Sequence, residues 1–203
     1  MENAGLIPVC ALAALALIGV GACERDVPRD TVRLQVEEAP SYMKPATDAS
    51  GATEGLTPQV QETVAALRAI IEANSLSRLS RFANSQSGFI SNFAGASHRD
   101  HWDLLRRTGF DPILRMEDLL DQPYGVRTVG SETWYVWPDL AALGPDELRP
   151  ERLSFRQRAR LQDLVGEAGV ESIRNGSGYP GVRMAIAADG RWLYYVHETQ
   201  SEE

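Results

Sequence analysis

Cysteine is nearly absent from this chain. The two present, Cys10 and Cys23, lie in or at the edge of the first apolar run. The body that follows has none, which excludes a disulfide framework and a cysteine-ligated metal centre there. Lysine is rarer still: Lys44 stands alone, and arginine supplies every other basic side chain. Positive charge is in deficit, with 20 bases against 28 acids and a formal charge of −8. That balance argues against nucleic acid as the main partner, because such binders carry a basic footprint. There is no second long apolar run, so a polytopic membrane protein is excluded. No Gly-x-Ser-x-Gly elbow occurs, and the glycine-rich stretch Gly176-Ser177-Gly178-Tyr179-Pro180-Gly181 lacks the strand-before-helix setting of a phosphate loop. No internal repeat is visible. What remains is ordinary globular composition, 43% apolar and 24% charged, which rules out a wholly disordered chain and a coiled coil.

The one apolar run is Leu6 to Ala22, uncharged and rich in Ala, Leu, Ile and Val. It is short for a spanning helix and suits the apolar region of an export signal. It ends in Val20-Gly21-Ala22-Cys23. Small residues at the last two positions let an extended chain enter a peptidase cleft, and the following Cys offers a thiol. These residues resemble the signal and lipobox of a bacterial lipoprotein. The resemblance implies diacylglycerol on the Cys23 thiol, cleavage before Cys23 and acylation of the new amine by a fatty acid such as palmitate. The departure is Met1-Glu2-Asn3, which has no Lys or Arg where such signals are basic. Glu24 follows the cysteine; in lipoproteins of enteric type Asp there signals inner-membrane retention, so the resemblance favours the outer membrane. The plainer alternatives are an uncleaved anchor and a simple secretory signal.

The expected organisation is therefore a signal peptide over 1–22, a lipid-anchored flexible linker over 23–56 and one globular domain over 57–200. Pro28, Pro40, Pro45 and the run Ala46-Thr47-Asp48-Ala49-Ser50-Gly51 give 23–56 its linker character. Within it, Thr31 to Val36 alternates like an edge strand.

In the body, Thr57-Pro58 predicts a helix start, with Val60, Val64, Leu67, Ile70 and Ile71 facing inward and an end near Asn74. A short helix over Ser77–Ala83 follows, then a strand over Gly88–Phe93. His98–Arg107 reads as a helix stopped by Gly109, and Asp111-Pro112 opens another to about Asp121. Tyr124–Val129 and Glu132–Trp137 read as strands about Gly130-Ser131. Ser154-x-x-Gln157 is a capping-box pattern opening a helix to about Val165. Val182–Ala187 and Arg191–Val196 flank Asp189-Gly190 as a hairpin, with Val182, Met184, Ile186, Trp192, Tyr194 and Val196 on one face. The predicted class is α+β, helices packed on an antiparallel sheet. The stretches Val60–Phe82, Phe89–Phe93, Trp134–Trp137 and Trp192–Val196 follow an order similar to the cone-shaped nuclear transport factor two family, from which Pro138–Gly181 departs by inserting helices. Members of that family hold small ligands in some cases and none in others, so this resemblance implies a fold and leaves function open.

Three groups of residues are candidate sites. His98 and His101, three apart on a helix, share a face, and with Asp103 they form a possible zinc shell and the core of a metal-dependent hydrolase. His197 is a candidate to approach them in space. The plainer alternative is a solvated first turn whose acids suit the helix dipole. Trp134, Tyr135 and Trp137 share a strand, with Trp134 and Val136 on one face and Tyr135 and Trp137 on the other. One face is a candidate ligand wall; the alternative is core on one side and a helix-covered face on the other. Arg149, Arg152, Arg156, Arg158 and Arg160 form a stripe suited to anionic headgroups or cell-wall carboxylates, or a charged face neutralised by Asp146, Glu147, Glu151 and Asp163. No cofactor is implied. The expected function is a lipid-anchored, periplasm-facing envelope protein that binds a small ligand, a cell-wall fragment or another envelope protein without catalysis.

Overall fold

The computed structural model describes residues 55–91 and 97–197. The expected signal peptide over 1–22, both cysteines, most of the expected linker and the strand expected over Thr31–Val36 lie outside them. Local chemistry starts each helix. Thr57 caps α1 (Pro58–Glu72), accepting the Val60 N–H at 3.3 Å, with Pro58 in the first turn where no amide partner is needed. Ser75 caps α2 (Leu76–Ser85), Ser97 caps α3 (His98–Arg107) and Asp111 caps α4 (Pro112–Leu120). Strands β1 (Gly125–Val129) and β2 (Glu132–Trp137) follow as a hairpin. After two short 3₁₀ turns, Asp139–Ala142 and Pro150–Arg152, Ser154 and Gln157 form the expected capping box of α5 (Phe155–Arg174). Strands β3 (Arg183–Ala187) and β4 (Trp192–Val196) complete the described chain.

The fold is α+β. One antiparallel sheet, in the order β1-β2-β3-β4, carries helices on both faces. One face presents Tyr135, Trp137, Met184, Ile186, Trp192 and Tyr195 to α1–α4, whose Leu67, Leu79, Trp102 and Met116 are fully or almost fully buried. The other presents Val136 and Ala185, flanked by Trp134 and Tyr194, to Leu140, Leu148, Leu161, Ile173 and Tyr179. The described residues belong to one compact unit. Among them, no helix is long and apolar enough to cross a membrane.

Two sequence expectations change, and one helical stretch is added. The helix from Ser154 ends at Val165, as expected, but a second helical stretch not expected from the sequence follows it. Gly166 takes φ 68°, ψ −178°, which kinks the chain there, and helical structure resumes to Arg174, burying Val170 and Ile173. Of the strand expected over Gly88–Phe93, the described part, Gly88–Ser91, forms one parallel bridge between Ile90 and Tyr194; Asn92 and Phe93 lie outside the described residues. The face of the last hairpin is also reassigned. The pairing runs Ile186 with Trp192 but Ala185 with Tyr194, so Leu193 is an extra residue in a β-bulge. Beyond it the alternation shifts by one: Tyr195, not Tyr194, joins Trp192 and Met184 on the α1–α4 side.

The tip of this hairpin is fastened to α1. The Thr57 hydroxyl donates to the Ala188 carbonyl at 2.8 Å, and the Thr63 hydroxyl to the Gly190 carbonyl at 2.6 Å. Gly190 has φ 88°, and a Cβ there would lie 2.9 Å from the Gln59 carbonyl oxygen. Both the dihedral and the contact exclude a side chain, so Gly190→Ala is expected to cost at least about 1 kcal/mol. A urea midpoint equal to that of the parent would show the tip to be free of α1. On the opposite face, Arg160 makes a two-pronged contact with Asp139 at 2.8 and 3.1 Å, fixing α5 to the turn after β2. The Asp139 side chain is only 13% exposed. Arg160→Ala strands that carboxylate and is expected to cost about 2 kcal/mol, whereas Asp139→Asn with Arg160 retained costs less.

Candidate functional site

The start of α3 and the end of β4 bring all three described histidines into one neighbourhood. Ser97 caps α3, so His98 opens the helix and turns inward: its ring packs edge-on to Phe89 at 5.1 Å and stacks on Trp102 at 5.6 Å. Nδ1 of His98 lies 2.9 Å from the Ser91 hydroxyl, both residues being buried. His101, half-buried, turns to His197, with ring centroids 6.1 Å apart. His197 in turn stacks on Phe110 at 4.5 Å, and the Arg115 guanidinium lies 6.0 Å from the centre of the same Phe110 ring. The approach of His197, which the sequence named only as a candidate and could not show, is thus made by the fold. The sequence did not indicate Ser91, whose pairing depends on the bridge that brings Ile90 to β4.

Asp103 does not join the imidazoles. It is exposed and faces Arg107 at 3.4 Å, one helical turn on. Among the described residues no three His, Cys, Asp or Glu side chains are grouped to hold a metal ion. His98 and His101 are therefore separated in role, one set in an aromatic core and the other facing His197.

Burial lowers the proton affinity of all three histidines, and for His98 and His197 the neighbouring His101 lowers it further. At neutral pH the group is uncharged and acts through hydrogen bonds and ring contacts. Because each folded pKa lies below its unfolded value, the unfolded chain binds more protons between the two. Stability is then fully present above about pH 6.5 and is lost as pH falls through the histidine range. His197→Gln is expected to flatten this slope. Thermal midpoints measured from neutral pH down to about pH 5 check it, and an unchanged slope would remove the histidines as its source. Asp111 titrates lower. Burial raises its pKa, but the Arg106 hydrogen bond and ion pair, at 3.0 Å, and the Ile113 amide outweigh burial.

His197 also lines a concavity of about 800 Å³ between α4, α5 and the segment Tyr179–Val182. Its wall is mixed: Phe110, Leu119, Val165 and the buried Tyr179 supply apolar surface, while Arg115, Asp118, Asp121 and Asp163 supply charge. The Tyr179 and Gly181 carbonyls are held by the Arg183 guanidinium at 2.9 and 3.2 Å, which fixes that wall. Arg115 faces Asp118 at 3.5 Å and Asp121 takes Arg68 at 3.1 Å, whereas Asp163 is exposed without a partner among the described residues. Three carboxylates against one guanidinium leave the lining negative, suited to hydrogen-bond donors and cations.

The aromatic strand forms no part of this concavity. Tyr135, Val136 and Trp137 are buried, and half-buried Trp134 donates its indole N–H to Glu132 at 3.1 Å and packs edge-on to Tyr194. Tyr135 and Trp137 belong to the core against α1–α4, and Val136, with Trp134 packed beside it, to the cluster that includes α5. Comparison with protein-family models, curated proteins and solved structures found no match to this chain.

Proposed function

We propose that this chain is a lipid-anchored protein of the bacterial cell envelope, facing the periplasm, whose folded body binds a partner or small ligand without turning it over. The observation that carries the proposal is the uncharged run Leu6–Ala22 ending in Val20-Gly21-Ala22-Cys23. An apolar export signal, two small residues and a thiol in register are what lipid attachment needs. The scarcity of cysteine elsewhere agrees with a thiol kept for one use. The binding half of the proposal is supported by the negative concavity beside His197, which has apolar walls for contact and carboxylates for orientation.

Mass spectrometry of the mature N-terminal peptide tests the anchor. The expected product begins at Cys23 and carries diacylglycerol in thioether linkage; an unmodified peptide running through Cys23 defeats the proposal. The binding half is tested by titrating the full chain with cationic small molecules while following His197 by nuclear magnetic resonance. Saturable shifts at His197 are expected, and chemical conversion of a bound compound would replace binding with catalysis.

A further inference from the structure

The arginine stripe divides according to partners. Arg149 faces Asp146 at 3.5 Å and Arg160 holds Asp139. The other acids nearby are engaged elsewhere: Glu147 accepts the Gly144 N–H at 3.0 Å and Glu151 faces Arg174 at 3.3 Å. Asp163 lies on the rim of the concavity. Arg152, Arg156 and Arg158 are left exposed, with no acidic partner among the described residues. Beside them stands Phe155, 79% exposed, the barest large apolar side chain among the described residues. In the free protein this arrangement is costly. Arg156 and Arg158 sit at the start of α5, where the helix dipole opposes cations, and Arg156 and Arg160 are like charges one turn apart.

We infer that Phe155 with Arg152, Arg156 and Arg158 is a docking surface for anionic phospholipid. An aromatic ring suits the boundary between headgroups and acyl chains, and guanidinium forks suit phosphate oxygens. Apart from these three arginines, residues 55–197 carry 17 acids against 13 bases, so an anionic bilayer repels the rest of the body on balance and attracts this patch. The patch therefore orients the body on the membrane. This inference rests on the anchor proposal, since attachment at Cys23 holds Gly55 within about 110 Å of the bilayer even if the intervening chain is fully extended.

The test uses the full chain as isolated from cells, carrying Phe155→Trp, added to vesicles whose lipids carry brominated acyl chains. One vesicle type is phosphatidylcholine alone and the other an equimolar mixture with phosphatidylglycerol. Flotation with neutral vesicles reports the anchor. Quenching of the introduced indole above the parent chain's background reports docking. Quenching is expected with phosphatidylglycerol and not with phosphatidylcholine alone. Adding Arg152→Glu, Arg156→Glu and Arg158→Glu is expected to reduce it at least about tenfold. Equal quenching in both vesicles, or none in either, overturns the docking surface, whatever flotation shows. A chain that fails to float with neutral vesicles yet is quenched by anionic ones retains the docking surface and loses the anchor. Retention on insoluble peptidoglycan that depends on the three arginines, without quenching by vesicles, assigns the patch to cell-wall carboxylates and overturns the lipid assignment.

Discussion

Trp192→Ala is expected to remove about 3–5 kcal/mol of folding stability, a large fraction of what a domain of this size possesses. Trp192 is fully buried on the sheet face that meets α1–α4. Its ring centre lies 4.3 Å from Phe89, 5.8 Å from Phe82, 6.2 Å from Tyr195 and 6.4 Å from Trp102. One indole thus joins the sheet to α2, α3 and the segment that leads to His98. Its Nε1 is buried without an acceptor among the described residues, so part of the indole's packing gain is offset by an unmet donor. Trp192→Phe loses ring volume but also removes that donor, and is expected to restore more than half of the stability lost in the alanine variant. Urea unfolding of the three proteins checks both expectations. An alanine variant with the parent's midpoint would mean that the aromatic cluster is not what binds helices to sheet.

The second large effect concerns attachment. Cys23→Ser is expected to abolish incorporation of labelled fatty acid and to leave the chain heavier by its unremoved signal. A hydroxyl in place of the thiol does not form the thioether, and processing of such signals follows lipid transfer. The energetic difference is wide. Each buried methylene contributes about 0.8 kcal/mol; one acyl chain holds a protein only marginally, while two or more hold it stably. Membrane fractionation alone is a poor readout, because the retained run Leu6–Ala22 can itself hold the variant to lipid. Acyl label and mass are the decisive measurements, and label retained in the serine variant would end the anchor proposal.

What the sequence made legible was chemistry that acts within a few residues. Thr57-Pro58, Asp111-Pro112 and the Ser154–Gln157 box each mark a helix start, because the capping oxygen and the amide it serves are neighbours in the chain. The alternation in Trp134–Trp137 located β2 and its two faces for the same reason. The helical stretch beyond Gly166 was not legible, because a glycine after an apolar helical run has the same local signature whether the helix is over or resumes after a kink. Only the burial of Val170 and Ile173 against the sheet decides which, and that is a distant interaction. The candidate site was legible in part. Spacing placed His98 and His101 on one helix, but their separate surroundings, Phe89 and Ser91 for one and His197 for the other, come from elements far apart in sequence. The concavity was not legible, since its walls converge from α4, α5 and the Tyr179–Val182 segment, with no shared motif.

The spare residue in β4 has a use at the border of the sheet. Leu193 is the acceptor for the Ile90 amide, at 3.0 Å, and the Tyr195 amide returns a bond of the same length to the Ile90 carbonyl. Removing Leu193 would restore regular pairing and leave Trp192, Tyr194 and Tyr195 pointing as they do now. It would take away the present acceptor of the Ile90 amide, one of the two backbone bonds that hold Ile90, and so Ser91 beside His98, to β4. The irregularity is thus one half of a clasp: a shortened, tidier strand would keep its side chains in place and loosen its hold on the neighbouring loop.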